Sequence, residues 1–140
     1  MLQLSGTNAD HKAFPAALWL LQCLVHCAPA GRGASLRDLI AFGDYINHAV
    51  FVYGEFYGAL GLLLAMRIAF VRRGRIFLAK KFHTELFPKN AKKKPISYSK
   101  ERSELEKILR ALPAVTESVP VKITRSEFAQ AAAAYLKQNA

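Results

Sequence analysis

Between positions 67 and 94 of this 140-residue chain, Arg67, Arg72, Arg73, Arg75, Lys80, Lys81, Lys89, Lys92, Lys93 and Lys94 stand against a single carboxylate, Glu85. A set of cations this dense suits one chemistry above others, the recognition of an acidic polymer. Each guanidinium or ammonium can neutralise a phosphate and release its condensed counterion, so binding by six such contacts would give a log–log salt slope of about −5 on a duplex. The charge is local. Residues 1–66 hold three basic side chains (Lys12, Arg32, Arg37) and four acidic ones (Asp10, Asp38, Asp44, Glu55), a net of −1. Residues 67–110 hold fourteen basic and four acidic, a net of +10, and residues 111–140 add three basic and two acidic, a net of +1. The whole-chain excess of +10 is therefore a property of the middle third. Lysines that merely solubilise a sheet edge and a linker would give the same count.

Other reactive side chains are sparse. Cys23 and Cys27 are spaced i, i+4, which puts them on one helix face without the geometry of a disulfide. With His26 between them they supply three donors within one helical turn, too few and too close to surround a metal. They read as apolar thiols of a reducing compartment. The four histidines, His11, His26, His48 and His83, are scattered. His48 lies near Asn47 and Asp44 and reads as a helix-terminal cap. No Gly-rich phosphate loop, nucleophile elbow, HExxH or paired-carboxylate arrangement occurs. The expectation is a protein that is not an enzyme, with no metal, no cofactor and no small-molecule substrate.

The elements that must position the cations follow from periodicity. At 52% hydrophobic and 21% charged, the chain is globular in composition. Residues 1–12 read as a flexible tail, with Asp10 a candidate cap. A helix is expected from about Lys12 to Cys27, Pro15 being tolerated in its first turn. Ser35-Leu-Arg-Asp38 opens a second helix to about Ile46 through a capping arrangement of Ser35 and Asp38. A third is expected over Tyr53–Met66 with Phe56, Leu60, Leu63 and Leu64 inward. RIAFVRRGRIFLAKKF (67–82) then reads as a hairpin turning at Arg73-Gly74, where X-Gly suits positive φ. Val71 would face Ile76 and Ala69 would face Leu78 on one side, with Phe70 opposite Phe77 and Ile68 opposite Ala79 on the other. Both faces are apolar, so part of each should be covered, while the tip arginines must project outward. Pro88 and Pro95 bracket a basic linker over 83–98. Residues 99–140 form a C-terminal helical extension: a helix of about 100–112 capped by Ser99, a short edge strand Val119–Ile123, and a last helix opened by the capping box Thr124-Arg-Ser-Glu127.

HKAFPAALWLLQCLVHCAPA (11–30) resembles the apolar core and small-residue cleavage site of a secretory leader. Gln22 and His26 interrupt the run, and only His11 and Lys12 lead it. No leader and no membrane span is expected, and a cytoplasmic protein is.

Helix, helix, helix, hairpin is the order of a winged helix-turn-helix, and residues 13–82 resemble that superfamily. The likeness is best in SLRDLIAFGDYINHAVFVYGEFYGALGLLLAMRIAFVRRGRIFLAKK (35–81), where Phe56, Leu60 and Leu63 lead into Ile68 and Phe70 as a third helix leads into a wing. The nearest likeness is to uncharacterised bacterial members. The expected fold class is mainly α with a small β-hairpin, a winged-helix core plus C-terminal helices. The resemblance implies DNA binding and transcriptional regulation, with the third helix in the major groove and the wing on backbone. In this chain the outward positions of that helix would be Glu55, Tyr57, Gly58, Gly61, Leu62 and Ala65. None is the Arg, Lys, Asn or Gln that commonly reads bases. DNA would then be held by its backbone, through Arg67, Arg72, Arg73, Arg75, Lys80, Lys81, Lys92, Lys93 and Lys94. The alternative is a non-enzymatic protein-interaction module, docking a partner or a second copy on an apolar patch of Tyr57, Gly58, Gly61 and Leu62.

Overall fold

The computed structural model describes residues 11–29, 31–82, 97–113, 115 and 119–138. Among them the chain is mostly helical, with one two-stranded antiparallel hairpin. Helix α1 (Phe14–Cys27) is the centre of the core. Its register has no polar side: Phe14 and every residue from Ala17 to Val25 are buried. A helix that is apolar all round must be enclosed, and α1 is packed against α2 (Leu36–Asn47), α3 (Tyr53–Ala65) and α4 (Tyr98–Ala111). Pro15 stands in its first turn, and the Ala13 amide ahead of it donates to His11 Nδ1 at 3.0 Å. Asp10, the expected cap, lies outside the described residues.

Helix α2 begins as its sequence requires, with the Ser35 hydroxyl accepting from the Asp38 amide at 3.1 Å. It ends at His48, which takes a left-handed φ of 53° while its amide donates to Asp44. The histidine caps the helix through its backbone, and the imidazole is not what terminates it. Gly43 is required by close packing, because a Cβ there would come 2.7 Å from the Phe51 ring. Trp19 stacks on the same ring at 3.7 Å and donates its indole N–H to the Gly43 carbonyl.

After α3 the chain turns through Arg67, at φ 60°, into β1 (Ala69–Arg72) and β2 (Arg75–Leu78). The register is Ala69↔Leu78, Phe70↔Phe77, Val71↔Ile76 and Arg72↔Arg75. Arg73 at φ 53° and Gly74 at φ 76° make the two-residue turn, the double positive φ of a type I′ hairpin. Ala34, between α1 and α2, adds a third rung: it exchanges both backbone hydrogen bonds with Ile76, at 2.8 and 3.0 Å. β2 therefore lies between Ala34 and β1.

Two expectations for the C-terminal part need correction. The cap of α4 is Ser97, whose hydroxyl accepts from the Lys100 amide at 3.1 Å; Ser99 is inside the helix and its carbonyl accepts from Ser103. Either serine satisfies the capping preference; the start is two residues earlier, which brings Tyr98 into the helix, where it packs edge-on to His26 and Phe42. Val119–Ile123 is not a strand. Its alternation is real, with Val119 exposed and Val121 and Ile123 buried, but what it meets is α3. The Tyr53 hydroxyl donates to the Ile123 carbonyl at 2.8 Å, and the Val121 amide reaches the Tyr57 hydroxyl at 3.5 Å. The Thr124–Glu127 capping box closes in both directions, at 3.0 and 3.1 Å, and opens α5 (Arg125–Gln138). Phe128 buries itself against Phe56 and Tyr53, while Tyr135 donates to Asp44 of α2 at 2.6 Å. Leu105, Leu109, Val121, Ile123 and Phe128 thereby join the same core as α1–α3.

Candidate nucleic-acid interface

The hairpin has two unlike faces, set by the period of two. Ala69, Ile76 and Leu78 are buried and Val71 is half-buried, so this side faces the core. Phe70, Arg72, Arg75 and Phe77 share the other side. There Phe70 and Phe77 stack with centroids 5.0 Å apart and planes 3° from parallel. The Arg72 guanidinium stands 5.6 Å from the Phe70 centroid and 6.0 Å from that of Phe77. Arg75 donates to the Gly33 carbonyl at 3.0 Å, which fixes its stem beside the ribbon.

Arg67, Arg72, Arg73, Arg75, Lys80 and Lys81 are all exposed. The two ion pairs among the described residues lie elsewhere, His26–Glu101 and Glu106–Arg110. Among the described residues, then, none of the six hairpin cations is neutralised by a carboxylate. Lys89, Lys92, Lys93 and Lys94 lie outside the described residues. A cation held on a ribbon without an internal counter-charge is available to an external anion, and arginine does this bidentately toward phosphate.

The other sequence-derived surface is different. Gly61 and Leu62 do not face outward: Gly61 is buried and Leu62 is 0% exposed. Gly58 and Ala65 are half-buried, and Glu55 and Tyr57 alone of the expected outward set are exposed. The reason is that α1, β1 and α5 all pack on α3. At Gly58 a Cβ would meet that of Ala13 at 3.5 Å, an ordinary contact, so close packing against α1 does not itself require the glycine. The expected partner patch of Tyr57, Gly58, Gly61 and Leu62 is thus not a continuous surface.

A polar cluster that the sequence did not announce joins α1 to α4. Gln22, buried, donates to the Tyr98 carbonyl and to Glu101 Oε1, each at 2.9 Å. His26 Nε2 lies 2.7 and 2.9 Å from the two Glu101 oxygens, and its ring stacks on Phe42. Burial pushes the Glu101 carboxyl up, but the hydrogen bonds from His26 and Gln22 and the His26 charge outweigh it and hold the group below its ordinary value. Gln22 and His26, one turn apart in an apolar helix, were the available signal; their partner lies 79 and 75 residues away. Both thiols are held in the protonated form. Burial, then the neighbouring Cys27, pushes Cys23 far up, and burial with the Asp38 charge pushes Cys27 up to about 11.

Among the described residues no three His, Cys, Asp or Glu side chains converge on a metal position. An open cleft of about 260 Å³, where the starts of α1, α3 and α4 meet the end of α2, is lined by Trp19, Asn47, Glu55 and Arg102 together with apolar residues. No described helix is long and apolar enough to cross a membrane. Comparison with protein-family models, with curated proteins and with solved structures gives no match.

Proposed function

We propose that this chain is a winged-helix DNA-binding protein, of the kind that regulates transcription, which grips the phosphate backbone through its hairpin. The observation that carries the reading is the exposed set Arg72, Arg73 and Arg75 on one short ribbon with Arg67, Lys80 and Lys81 flanking its ends, and no described carboxylate among them. The chain order supports the winged-helix part. The Ala34 bridge stands between α1 and α2, beside β2, where a winged helix has its first strand. Against this stands α3, whose Tyr53 and Tyr57 hydroxyls are engaged by the C-terminal segment and whose one charge is Glu55. A helix so covered is a poor reader of base edges. Binding should therefore depend on charge and be indifferent to sequence.

The test is a mobility shift on short duplexes of unrelated sequence at roughly 50 and 200 mM salt, the range over which phosphate contacts weaken steeply. Arg72→Ala, Arg73→Ala and Arg75→Ala combined should weaken all duplexes alike and flatten the log–log slope by about 2 to 3. Absence of any shift at about 50 mM removes the proposal, and a loss confined to one sequence removes its backbone-only form.

A further inference from the structure

The outer face of the hairpin carries more than charge. Phe77 lies across Gly33 so closely that a Cβ at position 33 would stand 2.5 Å from its ring. Phe70 stacks on Phe77 in turn, on β1, which among the described residues pairs with β2 alone. A backbone floor, one ring and a second parallel ring make a ledge, and the outermost ring remains 37% exposed. Arg72 abuts both rings, Arg73 is at the turn beyond it, and Arg67 stands at the other end of β1. Backbone phosphate contacts alone give no reason for an exposed ring, Phe70, backed by half-buried Phe77 between the cations. An aromatic face rimmed by cations is the arrangement that holds unpaired nucleotides, the base on the ring and its phosphates on the arginines. A base inside a duplex has both faces covered by its neighbours and cannot use such a ledge.

Resting on the hairpin reading above, we infer that this hairpin binds single-stranded DNA, one unpaired base stacking on Phe70 between phosphates held by Arg67 and Arg72–Arg73. The strand is bound in preference to a duplex of the same length. The Phe70 surface is apolar, so a thymine methyl adds contact, whereas a ribose 2′-hydroxyl adds only a polar group to be desolvated.

Fluorescence anisotropy with labelled oligothymidylate, oligouridylate and a blunt duplex, at one salt concentration, tests this on the full chain. Oligothymidylate should bind most tightly. Phe70→Ala should weaken it roughly 5- to 150-fold, the range of one lost base–aromatic stack, and leave the duplex affinity and the salt slope unchanged. Phe70→Trp keeps a stacking face and should retain binding. Its added indole emission should be quenched by oligothymidylate and not by the duplex, a readout that does not depend on loss. Equal affinity for single strand and duplex, equal loss of both in Phe70→Ala, tighter binding of oligouridylate, or an unquenched Phe70→Trp each overturns the ledge while leaving backbone binding standing. Failure of the wild-type chain to bind any of the three probes overturns both.

Discussion

The thirteen residues of α3 hold one charged side chain, Glu55, and bury Phe56 and Ala59 through Leu63. The hairpin that follows within four residues leaves Phe70, Arg72, Arg73 and Arg75 in solvent. On the winged-helix reading these neighbours are the groove reader and the wing, and here their usual shares are inverted. The helix has been drawn into the core by α1 on one side and the Val121–Phe128 segment on another, while the ribbon keeps every described cation free of a carboxylate partner. What the difference teaches is that a scaffold's binding surface follows from what its own chain covers. A C-terminal segment that docks on α3 takes surface from that helix without altering the order of elements.

The most severe way to break the comparison is Leu62→Glu. On an exposed face it would be tolerated. With Leu62 at 0% exposure it removes core packing and buries a carboxylate without a partner. A cost of about 5 kcal/mol or more is expected, comparable to the whole stability of a domain. Thermal unfolding followed by circular dichroism should lose its cooperative transition. A variant that melts like the wild type would show that α3 is open after all.

A second contrast concerns acid. The helical side of the molecule relies on Glu101, whose carboxyl is held below its ordinary value near 4.5 even though burial opposes this, because His26 and Gln22 hydrogen-bond to it. A depressed pKa in the folded state contributes stability that is fully present above the unfolded value and is lost as pH falls through the folded one. Lowering the pH from about 5 toward 3 should therefore loosen α4 from α1, seen as a falling denaturation midpoint. Glu101→Ala should remove that pH dependence and cost roughly 1–3 kcal/mol at neutral pH, since Gln22 loses one of its two acceptors. The hairpin, with no described carboxylate, should keep the proposed phosphate binding in the Glu101 variant. A Glu101→Ala protein that still loses stability over the same acid range would assign the titration elsewhere.

A milder change addresses the cover on α3. Tyr53→Phe deletes the hydroxyl that donates to the Ile123 carbonyl and keeps the ring against Phe128. The expected cost is about 1 kcal/mol, with faster amide exchange confined to residues around Ile123. Uniform exchange across the chain would mean that the segment is not a separable cover.

Local signals were legible, and long-range ones were not. The hairpin register, the turn at Arg73-Gly74, the Ser35 cap and the Thr124–Glu127 box each depend on residues within a few positions, and those patterns stand in the structure. The face of α3 could not be read the same way. Phe56, Leu60 and Leu63 fix one inward side, but in a helix apolar throughout, period alone does not say that Leu62 is inward too. That depends on α1, on β1, and on α5 some 60 residues later. Val119–Ile123 shows the same limit, since the expected edge strand is absent and the segment meets a pair of tyrosine hydroxyls of α3 instead. Of the candidate interface, the cations were visible as composition. The ledge was not, because Phe77 meets Gly33 only once Ala34 has bridged to Ile76.

The finest test separates stability from function at one residue. Arg73 is the first residue of the type I′ turn and holds φ 53°, a conformation in which an arginine costs about 1 kcal/mol and which Asn or Gly adopts readily. A turn selected for stability would have Asn there, as in the common Asn-Gly hairpin. Keeping a guanidinium at the apex makes sense if its charge is used. Arg73→Asn should therefore stabilise the chain by roughly 0.5–1 kcal/mol, a rise of a few degrees in melting temperature. It should at the same time weaken nucleic-acid binding and flatten the log–log salt slope by about 1, the signature of one lost phosphate contact. Opposite signs in the two measurements are what the contrast between α3 and the hairpin requires, for only a residue outside the core can be improved for folding while being damaged for binding. Stabilisation with unchanged affinity would remove Arg73 from the interface and leave the turn strain without a functional reason.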